Sequence, residues 1–319
     1  MEACSCELPD EAQRADISGS GYVGAVTEDL EYFVRLEHVD AGDNSFPFDS
    51  FSSLPKLQEL RLHCNAIADL GPVQGYASLR RLDLSYNNLG GKDAVSDLCR
   101  LPNLRELDLT CNSLSELPPS FAELRNLERL SLERNQLEGE AVLDVLAGLP
   151  SLRDLDLAFN YFTAVHLAPE DVELKFPSLD SLDLAFNYIV REEDVLSLVY
   201  LTRLERVILY GNPLCGPNGE DPLGLCVDEL VEAANSSRDG WTDKPLEVVT
   251  EMPRKNPRRP AHSRRRPYCD IGLTMVQEQV VPSSSAFRAA GNQALFQFEP
   301  GGGEASPQEI VEATLAEVR

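Results

Sequence analysis

The sequence predicts an α/β solenoid, in which short parallel strands line a concave face and short helices cover the outer side. Three observations support this fold class. An eleven-residue frame recurs through residues 36–214, its copies begin 21 to 27 residues apart, and segments with helix-like apolar spacing separate several of them. Such a period is typical of repeat proteins, whose units bury their apolar faces by stacking on one another.

The frame reads L-x-x-L-x-L-x-x-N-x-L and is numbered here from position 1 to position 11. Its clearest copies are LQELRLHCNAI, LRRLDLSYNNL, LRELDLTCNSL, LERLSLERNQL, LRDLDLAFNYF, LDSLDLAFNYI and LERVILYGNPL, and LEHVDAGDNSF at residues 36–46 is a weaker eighth. Alternating leucines at positions 4 and 6 predict a strand with one buried face. Stacked strands of this kind share one continuous core.

The asparagine at position 9 suits a turn just after the strand, because its amide can both donate and accept hydrogen bonds. We therefore interpret these asparagines as a structural ladder rather than as catalytic groups. They are Asn65, Asn87, Asn112, Asn135, Asn160, Asn187 and Asn212, with Asn44 in the weaker copy.

The segments between the strands should cover the outer side. Residues 93–104, 140–152 and 192–204 have helix-like apolar spacing after an acidic first turn, and they are expected to be helical. The segment at residues 116–127 has a shorter helix-like pattern and is expected to form a 3₁₀ or single-turn structure, with Phe121 in the core. Residues 22–35 are expected to cap the first repeat.

These repeats resemble the leucine-rich repeat family, and their length is similar to that of the intracellular members. The resemblance covers about 36–214 and implies an arc with a parallel concave sheet. A repeat block followed by GWTDKPLEVVTEMPRKNP at residues 240–257 also resembles the X-ray radiation resistance-associated proteins. That second resemblance implies an intracellular repeat protein with a long tail and no enzyme activity.

Three segments follow from this organisation. Residues 1–21 are predicted to be disordered, residues 22–240 to form the repeat domain with its caps, and residues 241–319 to form a flexible tail. A capping helix is expected near Val227–Ala234. A short terminal helix is expected to begin near Ser306, where Pro307 and Glu309 form a helix-start pattern.

Composition limits the partners and the location. The formal charge of −25 disfavours nucleic acid on the main surface and favours a basic partner. The sequence shows no long apolar run and no export signal, so we expect no membrane span and reduced cysteines. A cytoplasmic location is expected, with a nuclear or ciliary one left open.

The concave face carries the candidate binding residues. Position 5 carries Asp83, Asp108, Asp156 and Asp183, an acidic row that could dock a basic partner segment. Position 8 carries Phe159 and Phe186 on adjacent repeats, with Tyr210 nearby, and this pair could form an exposed aromatic anchor. The alternative is that the carboxylates are simply solvated and that the rings cover the ascending loops.

The tail contains one basic segment within an otherwise acidic chain. Its cations are Arg254, Lys255, Arg258, Arg259, Arg264, Arg265 and Arg266. Prolines between them predict an extended conformation. The segment could be a nuclear import signal, a microtubule or nucleic-acid tether, or a linker that folds back on the acidic face.

These features predict a non-catalytic scaffold or adaptor that binds a protein on its concave face and uses the tail as a second contact. The alternatives are a regulatory subunit of an enzyme such as a phosphatase, and a nucleic-acid or chromatin adaptor acting through the basic segment. A microtubule, axonemal or nuclear assembly is a possible setting. No metal or cofactor site is expected, because the four histidines lack catalytic or ligand spacing.

Overall fold

The described residues form one parallel sheet that follows the chain order. The computed structural model describes residues 8–167, 175–215 and 246–250, all within one structural unit spanning 1–257. Within these ranges the strands are β1 Arg14–Asp16, β2 His38–Asp40, β3 Glu59–Arg61, β4 Arg81–Asp83, β5 Glu106–Asp108, β6 Arg129–Ser131, β7 Asp154–Asp156, β8 Ser181–Asp183, β9 Arg206–Ile208 and β10 Glu247–Val249. This order confirms the predicted α/β solenoid.

Equal frame positions lie side by side on neighbouring strands. Leu107 is opposite Leu130 in the register of β5 and β6, and Asp156 is opposite Asp183 in that of β7 and β8. The central residue of each strand from β2 to β9 is buried, whereas its two neighbours are partly or fully exposed. Each frame position therefore forms a row that crosses the sheet, with parallel strands about 4.8 Å apart.

Short helices lie between the strands, and one precedes the first strand. They are α1 Thr27–Leu30, α2 Gly139–Ala147 and the 3₁₀ helices Pro9–Glu11, Phe48–Phe51, Lys92–Arg100, Pro119–Glu123, Glu192–Asp194, Leu196–Tyr200 and Pro213–Cys215. The 3₁₀ segment at Pro119–Glu123 is confirmed, and Phe121 is buried in the core. Of the three predicted helices, only the second is α-helical. The other two form 3₁₀ turns, a geometry that suits short connectors.

Two predicted boundaries need correction because the sheet extends further than the leucine frame. Arg14–Asp16 lies in the segment predicted to be disordered, yet it pairs in parallel with β2. Glu247–Val249 lies in the predicted flexible tail, yet it pairs in parallel with β9. Both strands lack the frame, and both are held by backbone hydrogen bonds to an edge that would otherwise be open.

Several predictions fall on residues outside the described ranges. These are the capping helix near Val227–Ala234, the basic segment and the terminal helix. Within the described ranges, one continuous apolar core runs from Ala12 to Leu246. Its interior is built mainly from frame leucines, with large rings such as Phe48, Phe121 and Phe162 filling the wider spaces.

A candidate partner-binding surface on the strand face

The ladder of asparagines holds adjacent repeats together beneath the surface. Asn135 accepts the amide hydrogen of Leu114 at 3.1 Å and donates to the carbonyl oxygens of Leu109 and Leu132, each at 3.0 Å. Asn65, Asn87, Asn112, Asn160, Asn187 and Asn212 make equivalent bonds to their own and preceding repeats. Because these amides satisfy buried backbone groups, they fix the turn that follows each strand.

The strand face is the solvent-facing side of the sheet formed by positions 3, 5, 7 and 8. Its position 3 row alternates in charge and pairs with itself. Arg81 lies 3.2 Å from Glu106, and Arg129 lies 3.1 Å from Asp154 and 3.8 Å from Glu106. Exposed pairs of this kind contribute only a fraction of a kcal/mol each. The charges of this row therefore neutralise one another, and few of them remain unpaired for a partner to bind.

The aspartates of position 5 have a local structural role as well. Asp108, Asp156 and Asp183 each accept, through Oδ1, the backbone amide hydrogen two residues later, at 2.8 to 2.9 Å. Asp83 accepts the corresponding amide of Ser85 at 3.0 Å and also its hydroxyl at 2.6 Å. One oxygen of each carboxylate therefore binds the backbone just after the strand. These aspartates stabilise that turn whether or not a partner binds.

The two halves of the position 5 row differ in their counter-ions. In the first half, Arg61 lies 3.4 Å from Asp40 and is the row neighbour of Asp83. In the second half, neither Asp156 nor Asp183 lies within 4 Å of a Lys, Arg or His nitrogen among the residues that the structure describes. In the second half of the row, therefore, the carboxylates have no described cation close enough to neutralise them.

Asp156 and Asp183 lie beside each other with uncharged neighbours in the same row. Ser131 is opposite Asp156, and Ile208 is opposite Asp183. Burial and the adjacent charge of Asp183 raise the pKa of Asp156 to about 8. Burial also raises the pKa of Asp183, to about 6, although the Ala185 amide and Arg206 act in the opposite direction. The acidic row is therefore less charged here at neutral pH than its sequence indicates.

Asp156→Asn is expected to stabilise the protein at pH 8 and to have less effect at pH 4. Both carboxyl groups bind protons more tightly in the folded chain than in the unfolded chain. The stability that these two protonated groups contribute is therefore fully present below about pH 4. It is lost as the pH rises towards about 8 and the groups ionise. Asparagine keeps the acceptor oxygen for the Ala158 amide, so the gain at pH 8 should be about 1 kcal/mol or more.

Denaturant unfolding of both proteins at pH 4, 6 and 8 measures this gain. Asp154→Asn is the matched control, because Asp154 lies on the same strand but pairs with Arg129 at 3.1 Å. The control should gain no stability at pH 8. A stability difference for Asp156→Asn that does not change with pH would contradict the prediction.

An aromatic stack borders this carboxyl pair. The rings of Phe159 and Phe186 stack with centroids 4.3 Å apart and an interplanar angle of 15°. The guanidinium carbon of Arg134 lies 4.3 Å from the centroid of the Phe159 ring, and Tyr210 meets Phe186 edge-on at 5.5 Å. Both phenylalanines are half-buried rather than fully directed to solvent. The result is a preorganised column of four side chains, here called the aromatic stack.

The sequence placed Phe159, Phe186 and Tyr210 near each other, but it did not indicate that Arg134 belongs to the same column. Arg134 occupies position 8 of the preceding repeat, which is the signal that could have identified it. It adopts a left-handed backbone conformation with φ of 57°, as do Phe159 at 56° and Phe186 at 53°. This shared conformation carries the three side chains in the same direction across adjacent repeats.

Gly211 closes the column after Phe186. Its φ is +78°, and a Cβ atom there would lie 2.5 Å from the Phe186 ring. The Phe186 ring is therefore enclosed between Phe159 on one side and the Gly211 backbone on the other. Glycine at this position 8 accommodates both the left-handed backbone and the close approach of the ring.

Gly211→Ala is expected to lower the free energy of unfolding by about 2 to 3 kcal/mol, since it adds a ring clash to backbone strain. Gly71→Ala is the matched control, because Gly71 has φ of +62° and open space around its Cβ position. The control should cost only about 1 kcal/mol. Denaturant unfolding measures both changes, and equal losses would show that the ring contact is unimportant.

A second aromatic row lies next to the stack. Tyr161 and Tyr188 occupy position 10 of the same two repeats, with ring centroids 5.7 Å apart. Tyr188 is 37% exposed. The doubled sequence Ala-Phe-Asn-Tyr thus places one phenylalanine and one tyrosine on the surface in each repeat and an asparagine in the interior between them.

Other classes of site receive no support from the described residues. Among them, no group of three or more His, Cys, Asp or Glu side chains is placed to hold a metal ion. No helix in the described ranges is long and apolar enough to cross a membrane. The basic segment with Arg254, Lys255, Arg258, Arg259 and the three arginines 264–266 lies outside these ranges, and its function stays a prediction.

Comparison with known families agrees with the repeat architecture. Models of the leucine-rich repeat match residues 100–162 and residues 77–96. Together with the register of the sheet, these matches show that the chain contains leucine-rich repeats. Domains of this class are typically non-catalytic interaction modules.

Individual relatives show narrower similarity. The chain is 33% identical over 119 residues to X-ray radiation resistance-associated protein 1 of Mus musculus, a match that covers 37% of this chain and 15% of that protein. A leucine-rich repeat protein of Leptospira interrogans has a similar structure, with a TM-score of 0.52 and 26% identity over 64% of this chain and 50% of that one. TLR13 in its complex with ssRNA13 gives a TM-score of 0.53 and 25% identity over 62% and 29% of the two chains.

Proposed function

We propose that this protein is a non-catalytic interaction scaffold whose strand face binds a basic, extended segment of a protein partner. The observation that carries the proposal is the aromatic stack near Asp156 and Asp183, two carboxyl groups with no Lys, Arg or His nitrogen within 4 Å among the described residues. Rings bordered by charge are the usual composition of interaction hot spots. The binding region would lie on β7 to β9, while the charge-compensated rows of the earlier strands serve mainly as structure.

The stack is suited to binding because it is already ordered. Phe159 is held between Arg134 and Phe186, and Phe186 is held between Phe159 and Gly211. A partner would therefore meet rings whose rotamers are already restricted, which reduces the entropy lost on association. Arg134 against Phe159 also illustrates how a cationic side chain contacts this column.

A protein partner is favoured over a nucleic acid. One structural relative, TLR13, is known in complex with ssRNA13. The strand face of this chain, however, carries Asp83, Asp108, Asp156 and Asp183 in one row, and phosphate binding requires cationic side chains instead. The same charge favours lysine and arginine in a partner.

The basic segment would supply a second contact. Its seven cations contrast with the formal charge of −25 for the whole chain. Two weak sites on one chain strengthen each other through effective concentration. An acidic region of the same partner or a neighbouring subunit is the proposed target, and a cytoplasmic setting with access to the nucleus fits the composition of the segment.

The experiment compares the partners that four variants of the full chain recover from cells with those that the unchanged chain recovers. Phe159→Ala with Phe186→Ala removes the stack, and Asp156→Asn with Asp183→Asn removes the adjacent charge. The third version neutralises the seven cations of the basic segment. Tyr32→Ala with Tyr200→Ala is the matched control, because these rings are exposed but do not belong to the stack.

Loss of the two stacked rings is expected to weaken binding of the main partner by about 30-fold or more, as for two moderate hot-spot residues. The control should bind normally. Retention of the partner by the stack variant, with loss only after neutralising the basic segment, would contradict the proposed binding surface. Shortened chains should end no earlier than residue 250, because β10 forms the last described edge of the sheet.

A further inference from the structure

Asp156 and Asp183 form one of two adjacent aspartate pairs in the position 5 row, and they differ from Asp83 and Asp108 in having no other charged neighbour in that row. Their strands are adjacent and in register, so the two carboxyl groups are neighbours across β7 and β8. Their Oδ1 atoms both accept the amide two residues later, at 2.9 and 2.8 Å, so the two groups have the same orientation. The Oδ2 atoms of both groups accept no hydrogen bond from the residues that the structure describes.

The surroundings make a double negative charge unfavourable at this place. Ser131 and Ile208 flank the pair in its own row, and the buried side chains of Ala158 and Ala185 follow it along the strands. The stacked rings of Phe159 and Phe186 follow one residue further along each repeat. Two carboxylates about one strand spacing apart repel each other strongly when solvent is partly excluded.

Other charged groups near the pair do not neutralise it. Asp108 on β5 and Glu133 after β6 add further negative charge. Arg206 on β9 is the cation that acts on Asp183, but Glu247 on β10 lies 3.6 Å from the Arg206 guanidinium and competes for it. The raised pKa values of Asp156 and Asp183 agree with this arrangement.

We propose that Asp156 and Asp183 share a proton in the free protein and release it when a lysine or arginine side chain of the partner docks on the pair. The O–H bond breaks, the proton passes to solvent, and the cation of the partner takes over the neutralisation of the two carboxylates. This mechanism rests on the proposed function of the strand face and adds its regulation. Binding becomes tighter as the pH rises through the neutral range.

The first half of the test uses the free protein and needs no partner. Carboxyl ¹³C chemical shifts of aspartate-labelled protein are followed from pH 4 to pH 9, and Asp156→Asn and Asp183→Asn assign the two signals. We expect two coupled titration steps, with one proton still on the pair at pH 7. Asp183→Asn should lower the pKa of Asp156, and ionisation of both groups below pH 5 would overturn the proposal.

The second half measures the exchange itself with a defined probe. A synthetic peptide of alternating arginine and glycine is titrated calorimetrically into the full chain at pH 7, in two buffers with different ionisation enthalpies. We expect release of up to about one proton per peptide bound and an affinity that rises up to about tenfold per pH unit between pH 6 and pH 8. The same peptide with citrulline in place of arginine should release no proton.

Matched variants separate the pair from general charge effects. Asp156→Asn with Asp183→Asn and Asp83→Asn with Asp108→Asn remove the same formal charge from the same row. Both should weaken peptide binding, but only the first should abolish proton release. The reason is that Ser131 and Ile208 flank the first pair in its row, whereas Arg61 is the row neighbour of Asp83.

The outcomes distinguish this mechanism from the proposed function. Two results would refute the proposed exchange of a proton for a cation: arginine-dependent binding without proton release, and equal proton release by both double variants. Neither result would contradict the proposed docking surface. A peptide that does not bind also overturns the exchange. A normal carboxyl titration together with unchanged partner recovery by the Phe159→Ala/Phe186→Ala protein would instead refute the proposed surface.

Discussion

Phe162→Ala is expected to lower the free energy of unfolding by about 4 kcal/mol, one of the two largest effects expected for this protein. The ring is fully buried in the core. Its removal combines the loss of apolar burial with a cavity that neighbouring repeats can fill only partly, because stacked strands fix their positions. The preceding repeat and the following one should both be weakened, since each unit is stabilised by its neighbours.

Phe159→Ala provides the internal comparison, three residues earlier in the same stretch. This ring is half-buried, and its contacts are the stack with Phe186 and the Arg134 guanidinium. Its loss should cost only about 1 to 1.5 kcal/mol. Denaturant unfolding followed by far-ultraviolet circular dichroism measures both variants. Similar losses would show that Phe159 is a core residue and would weaken the case for a partner anchor.

Asn160→Ala is expected to cost about 3 to 4 kcal/mol, although its side chain is polar. Asn160 is 2% exposed, accepts the Leu137 amide hydrogen at 3.0 Å, and donates to the carbonyl oxygens of Leu132 and Leu157 at 2.9 and 3.1 Å. Alanine would leave these buried backbone groups without their partner. Each unsatisfied group costs about 1 to 3 kcal/mol, part of which local adjustment recovers.

Asn126→Ala is the matched control for the asparagine ladder. Asn126 also donates to a backbone carbonyl, that of Pro102 at 2.7 Å, but it is exposed and water can replace the bond. Its substitution should cost no more than about 0.5 kcal/mol. The two variants are compared by the midpoint and slope of urea unfolding. Equal effects would refute the view that burial makes the ladder essential.

The architecture was largely predictable because its signal is local and repeated. Alternating leucines such as Leu155 and Leu157 predict one buried strand face, and seven clear copies of the frame reinforce one another. The same numbering places position 3 charges such as Arg129 and Asp154 side by side, and they pair across strands. The 3₁₀ segment at Pro119–Glu123 followed from its short, proline-containing pattern.

The ends of the sheet were not predictable in the same way. β1 and β10 contain no leucine frame, and their pairing depends on backbone groups that every sequence possesses. The composition of residues 1–21 therefore indicated disorder where Arg14–Asp16 forms an edge strand. A hydrophobic pattern reports which side chains are buried, but it does not report which backbone completes an open sheet.

The candidate site shows the same division between pattern and packing. By itself, the sequence determined the repeat, the rows of the strand face, and the presence of Asp156, Asp183, Phe159 and Phe186 on that face. Only the tertiary structure decided that Arg134 lies on the Phe159 ring and that Gly211 closes against Phe186. It also decided that the two carboxyl groups are neighbours with no Lys, Arg or His nitrogen within 4 Å among the described residues. The local period of the chain determines on which face and in which row a residue lies. Ring stacking and proton affinity depend instead on ångström distances between side chains of different repeats, more than twenty residues apart in sequence.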